Sequence, residues 1–215
     1  MGFIAKNEGS DYKIVPSGAF IGRCYELIDL GTQTNDTGQF IGKESHKIKI
    51  GFELFGEEED GTPLTIEVDG KTMPLTITKD YTVSLNEKAN LRKDLAAWRG
   101  KDFTDEEAEG FDVSKLLGVY AMVNVTHKAN AKGKIRANIS GLSPLPSALR
   151  ASKPEPVHAI RRFDLDEPDM EMFETFYDYL KETIKKSPEW QAKIGVKKTD
   201  SSSDPFAGFD DDPLF

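Results

Sequence analysis

Residues 119–142, VYAMVNVTHKANAKGKIRANISGL, hold two alternating runs about a short polar loop. In the first run Val119, Ala121, Val123 and Val125 fall on one side and Tyr120, Met122, Asn124 and Thr126 on the other. In the second, 134–142, Ile135, Ala137 and Ile139 share the apolar side. A period of two is that of a half-buried strand, so the stretch predicts an antiparallel hairpin across the loop KANAKG.

Upstream the period changes. NEKANLRKDLAAWRG, 86–100, places Ala89, Leu91 or Arg92, Leu95 and Trp98 near one face, with Asn86 as N-cap and Gly100 as stop, and so predicts a helix. Asp112 caps a helical turn in VSKLLG. Further back the chain returns to strands. A first run over 20–30 ends in the turn residues GTQTNDTG. A second, 46–55, sets Ile48, Ile50, Phe52 and Leu54 against Lys47, Lys49 and Phe55. After the acidic turn GEEEDGTP, runs 64–68 and 73–85 flank Asp69-Gly70, a strong hairpin signal. Tyr81 shares parity with Met73, Leu75 and Ile77, which favours the core.

The expectation is a mainly β domain with five strands and a helix between the third and fourth. That is the order of an oligonucleotide-binding (OB) barrel, although periodicity alone leaves another small barrel open. Residues 1–150 form this domain. Residues 151–194 follow as a Pro-rich linker and an amphipathic helix opened by Asp166 and Pro168, with Met172 or Phe173, Phe176, Leu180 and Ile184 in one stripe. The stripe packs on the barrel or pairs with a second copy as a homodimer. Residues 195–215 lack core-forming composition and are expected to be a disordered, acidic, partner-binding tail.

The net charge of −9 argues against a polyanionic partner only if it is evenly spread. Residues 1–150 carry 19 Lys+Arg against 22 Asp+Glu, or −3, while residues 151–215 carry 9 against 15, or −6. A near-neutral body still allows a basic groove. The lone Cys24 lies in an apolar run and reads as a reduced core thiol. No run is apolar enough for a membrane span or a signal peptide, so a soluble cytoplasmic protein is expected.

The last residues, Asp210-Asp211-Asp212-Pro213-Leu214-Phe215, join three carboxylates, a proline and a terminal aromatic, a pattern suited to capture by a basic-rimmed apolar pocket. Exposed Phe206, Phe209 and Phe215 would gain a purely solubilising tail nothing. This ending resembles the acidic tip of bacterial and phage single-stranded DNA-binding proteins. The body, in SLNEKANLRKDLAAWRGKDFT, DVSKLLGVYAMVNVTH and GKIRANISGLSPLP, is similar to the phage branch, in which one OB fold carries the tail. The likeness covers about residues 15–150 and the last six, and departs from the bacterial type in the Pro-rich linker and the added helix. It implies sequence-independent binding of single-stranded DNA in replication, recombination and repair, recruitment of replication proteins by the tail, and host cytoplasm as the location if the chain is phage-encoded.

OB barrels hold single strands with stacking aromatics and phosphate-tracking cations. The candidates are Lys43, Lys47, Lys49 and Phe55 on the second strand, with Gly51 leaving room for a base, and Tyr120, Lys128, Lys132, Lys134 and Arg136 in the last hairpin. Trp98, Arg99 and Lys101 at the helix end, and Arg23 and Tyr25 on the first strand, complete the set. Each has a plainer reading. Lys47 and Lys49 serve equally as solvated or edge-guarding residues, while Phe55, Tyr120 and above all Trp98 serve equally as core. Four cations without an acid in 128–136 are the hardest to read as mere surface. No zinc spacing, Gly-rich phosphate loop or nucleophile with a base appears, and His46, His127 and His158 are scattered, so neither an enzyme nor a cofactor or metal is expected. The rival reading is a protein–protein adaptor whose barrel binds no nucleic acid.

Overall fold

The computed structural model describes residues 13–36, 41–130 and 133–200, with 195–200 as backbone only. It is mainly β. The strands are β1 (Gly18–Thr34), β2 (Glu44–Phe55), β3 (Thr65–Val68), β4 (Lys71–Pro74), β5 (Thr76–Thr82), β6 (Tyr120–Ala129), β7 (Ile135–Pro144) and β8 (Arg161–Phe163). The helices are α1 (Asn90–Arg99), α2 (Asp105–Glu109), α3 (Ser147–Arg150), α4 (Met170–Glu174), α5 (Asp178–Lys186) and α6 (Pro188–Asp200), with a 3-10 turn at Val113–Leu116. An antiparallel six-stranded sheet runs β5-β2-β1-β6-β7, with β8 also on β1, and it is not closed. The strand expectation is corrected in number: β3 and β4 pair only with each other, and the run 73–85 divides between β4 and β5.

The chain divides into two compact units. The first comprises residues up to Leu27 and Lys49–Arg162. Its core is what the alternation demands: Ile50, Phe52 and Leu54 of β2, Leu75, Ile77 and Tyr81, and Ala121, Val123 and Val125 of β6 are all buried. Gly22 faces Ala121 across the β1–β6 ladder, and a Cβ there would stand 2.4 Å from Val123 Cγ2, so glycine allows the close approach. Cys24 is buried, which pushes its thiol pKa up to about 12 despite the opposing pull of Arg23.

Helix α1 buries Leu91, Leu95 and Trp98 at steps of four and three and packs against β7 and β5. It starts later than the sequence predicts. Ala89 is the N-cap and makes no side-chain cap bond, whereas Asn86 Oδ1 accepts from Lys88 N in a preceding turn. Gly100 ends the helix at φ +73, its N–H bonded to Ala97 O, as predicted. Asp112 accepts from Ser114 N at the 3-10 turn. Val119 and Ile135, expected inward, are exposed because they lie where the ladder runs out at its ends.

The second unit comprises Ile28–Ile48 and the chain from Phe163. Its core joins Ile28 and Leu30 to Phe163, Leu165, Phe173, Phe176, Leu180, Ile184 and Trp190. The expected single C-terminal helix is three: Asp169, not Asp166, caps α4 through Met172 N, and the chain bends before α5 and again before α6. The stripe Phe173, Phe176, Leu180 and Ile184 survives the breaks because every member still turns into this core. At Gly31, φ +67, a Cβ would meet Ser187 at 2.5 Å. The backbone of α6 continues to Asp200, past the Ile194 at which order was expected to end.

Candidate nucleic-acid interface

Direct partners in an antiparallel ladder project to the same side of the sheet. Across β1 and β6 the register pairs Ala19 with Asn124, Ile21 with Met122 and Arg23 with Tyr120. Across β6 and β7 it pairs Met122 with Ser143, Asn124 with Gly141, Thr126 with Asn138 and Lys128 with Arg136. The ladder slips between Asn124 and Val125, where Ser140 Oγ donates to Asn124 O. These twelve positions share the face turned away from Ala121, Val123 and Val125, and not one is acidic.

At one end stands the β6–β7 hairpin. Lys128, Lys134 and Arg136 are exposed, and among the described residues none of them forms an ion pair. The turn holds its shape through Gly133 at φ +75, with Asn130 Oδ1 and Asn130 N bonded to Lys134 N and O respectively. The acidic loop around Glu57–Asp60 lies elsewhere: with Phe20 and His127 it lines a cavity of about 500 Å³, and Phe20 and His127 belong to the opposite parity.

At the other end the face is crossed by the chain itself. Residues 143–160 read as an extended linker hugging the surface; 143–144 instead close β7 and 147–150 form α3, while 153–158 do lie extended along the face as a strap. Tyr120 Oη donates to Pro154 O at 2.6 Å, and Lys153 Nζ lies 5.1 Å from the Tyr120 ring centroid. Glu53, fully buried, accepts at Oε2 from Val157 N (3.3 Å), His158 N (2.8 Å) and His158 Nδ1 (3.0 Å). Arg23 Nη2 donates to His158 O at 2.5 Å. Arg23 Nε lies 2.7 Å from Glu53 Oε1, within ion-pair range though without hydrogen-bond alignment. His158 also rests on Tyr25, with centroids 4.8 Å apart, and beyond the strap Arg161 pairs with Glu26 at 3.1 Å. Burial raises the Glu26 pKa against the attraction of Arg161, Lys49 and His158.

The candidates drawn from the sequence divide accordingly. Phe55 and Tyr120 do meet on this face, their rings 6.5 Å apart at 29°. Burial raises the Tyr120 phenol, keeping it a donor. Lys49 is buried and ion-paired with Asp80, and Gly51 leaves no room for a base, since Glu26 Cβ lies 3.0 Å from where its Cβ would be. Arg23 and Tyr25 are buried under the strap's contacts. Trp98 is core: it lies 5.4 Å from Phe52, and its Nε1 donates to Tyr120 O at 2.9 Å. Arg99 donates to Glu107 at 2.6 Å and stacks over Phe103, and Lys101 lies 3.8 Å from the same carboxylate. The Arg99 hydrogen bond, with Thr104 N, holds the Glu107 pKa below its ordinary 4.5.

Lys43 and Lys47 belong to the second unit, where Lys43 O accepts from Asn35. Lys132 and the partner-binding residues Asp210, Asp211, Asp212, Pro213, Leu214 and Phe215 lie outside the described residues. The cation that sequence reading missed is Lys153. Its signal was the prolines behind it, because Pro154 and Pro156 hold φ near −65° and keep the strap extended without needing partners for their own nitrogens. No helix among the described residues is long and apolar enough to cross a membrane. The chain matches no protein-family model, no curated protein and no solved structure.

Proposed function

We propose that this chain binds single-stranded DNA without sequence preference on the outward face of β1, β6 and β7, as a non-enzymatic protein of replication, recombination and repair. The observation that carries the reading is the register: it lines Tyr120, Lys128 and Arg136 along one face with no acid among its twelve positions. Arg23 is neutralised by Glu53, but Lys128 and Arg136 have no carboxylate across the ladder, and such cations can release counterions from a phosphate chain. Polar Asn124, Thr126 and Asn138 between the charges suit a backbone-tracking groove.

The same reading takes the sheet as an OB-type barrel. The contact between α1 and both β5 and β7, and that between β5 and β7 at the two ends of the strand path, support it. It takes the chain as a relative of the phage single-stranded DNA-binding proteins, working in the cytoplasm, with residues 210–215 recruiting replication proteins.

One observation favours the adaptor instead. Tyr177 and Tyr179, 77% and 61% exposed, lie with rings 6.2 Å apart and nearly parallel in the second unit, an aromatic surface of the kind proteins dock on. A band shift with poly-dT separates the readings. Retardation at about 50 mM salt that fades as salt rises supports DNA binding, and no shift at that salt supports the adaptor.

A further inference from the structure

Tyr120 looks like a stacking platform, yet its ring already has Phe55 and the Lys153 ammonium as neighbours, and its hydroxyl is tied to Pro154 O. We propose that Tyr120 is a positioning residue, which holds the strap 153–158 so that Lys153 contacts the phosphate backbone of single-stranded nucleic acid at the end of the face opposite Lys128 and Arg136. The proposal rests on the DNA-binding reading above.

Three features support it. First, the phosphate backbone of an incoming strand has no means of replacing the strap. The strap gives the buried Glu53 three hydrogen-bond donors and gives Arg23 an acceptor. A phosphate brings acceptors only, so displacement would set like charge against Glu53 and strip a buried carboxylate of its donors. The strap therefore stays, and a ligand must run beside it.

Second, Lys153 is exposed and its ammonium lies over the Tyr120 ring without a salt bridge among the described residues, although Glu155 follows two residues on along the strap. A cation over an aromatic face is held in place without being neutralised.

Third, the geometry gives one track. Tyr120 and Lys128 lie eight residues apart on the same side of one strand, about 27 Å at strand rise, or about eight phosphate spacings of a stacked strand and fewer of an extended one. Lys153 at one end and Lys128 with Arg136 at the other bracket a stretch of β6 whose outward residues are uncharged.

The test is fluorescence anisotropy of labelled oligo-dT against full-length protein over a salt series, comparing wild type with K153Q, Y120F, Y120A, Y120F/K153Q and K128Q/R136Q. K153Q is expected to flatten the log–log salt slope by about 0.7 and to weaken binding roughly fivefold at about 0.1 M salt. Y120F keeps the ring but loses the bond to Pro154, and should move both quantities the same way by less. The double variant should be no worse than K153Q alone. Unchanged affinity and slope in K153Q, while K128Q/R136Q loses both, would overturn the strap contact and leave the DNA reading intact. Tighter binding by K153Q would instead make the strap a cover over the site. A neutral Y120F beside a weakened Y120A would mean that a base stacks there after all. Failure of the wild type to bind at about 50 mM salt would remove the reading itself.

Discussion

The β6–β7 hairpin and the C-terminal end of α1 carry similar letters and opposite outcomes. Both are runs of cations that follow an aromatic along the chain: Lys128, Lys134 and Arg136 after Tyr120, Arg99 and Lys101 after Trp98. At α1 the fold uses everything it is offered. Trp98 fills the core, and Thr104 and Glu107 form a reciprocal capping box at α2 whose carboxylate also takes Arg99. In the hairpin the neighbours across the ladder are Asn, Ala, Ile and another cation, so no acid reaches the charges. A cluster of cations is available to a ligand only when the register, not merely the local sequence, keeps carboxylates away.

The largest expected effect tests the buried half of that contrast. Trp98→Ala should lower stability by about 3–5 kcal/mol in chemical denaturation, since it empties a core site and leaves Tyr120 O without its donor. A stable W98A with weakened DNA binding would instead make Trp98 a stacking residue.

Next comes the charge comparison. At about 0.1 M salt each lost phosphate contact on a single strand corresponds to roughly fivefold in affinity, so K128Q/R136Q should lose about 25-fold. R99Q/K101Q should stay within about fivefold, because the single Glu107 carboxylate already offsets one of those two charges. Equal losses from the two pairs, read by oligo-dT anisotropy, would break the contrast.

The smallest effect concerns pH. Glu107 is held below its ordinary 4.5 chiefly by the Arg99 hydrogen bond, so the folded state favours its ionised form. The contribution of that contact is complete above pH 4.5 and is lost only as pH falls through the lowered value. A carbon NMR titration of the Glu107 carboxyl should therefore find its midpoint below 4.5, and R99Q should move it up towards that value, with Thr104 N and Lys101 still holding it down. A midpoint above 4.5 in the wild type would show that Arg99 is not engaged.

Much of the first unit was legible in the sequence, because alternation reports burial directly. The inward sets of the second strand and of 119–127 are the observed core, apart from the exposed end residue Val119, and Leu91, Leu95 and Trp98 face it from α1. What alternation does not report is pairing. The run 73–85 reads as one strand, yet it belongs to two sheets, and only the partners of β4 and β5 reveal the break. Lys49 shows the same limit at the level of the site: its parity was right, but Asp80, 31 residues away, neutralises it. An extended surface course was legible for the strap, but its partners were not. Its backbone is held by Glu53, Arg23 and Tyr120, more than 30 residues distant in every case, and Pro-rich composition looks the same whether such partners exist or not. In the second unit the apolar spacing carried through, but the start of α4 turns on Asp169 and the break between α5 and α6 on Ser187, whose capping bonds carry no period.

The most direct test of the account is the salt slope of oligo-dT binding, measured on wild type and K128Q/R136Q together. With Lys128, Lys134, Arg136 and Lys153 each meeting a phosphate, the wild-type slope should be near −3, and removing two charges should bring it to roughly −1.5. A slope near zero, or one that the double substitution leaves unchanged, would contradict a phosphate track along this face.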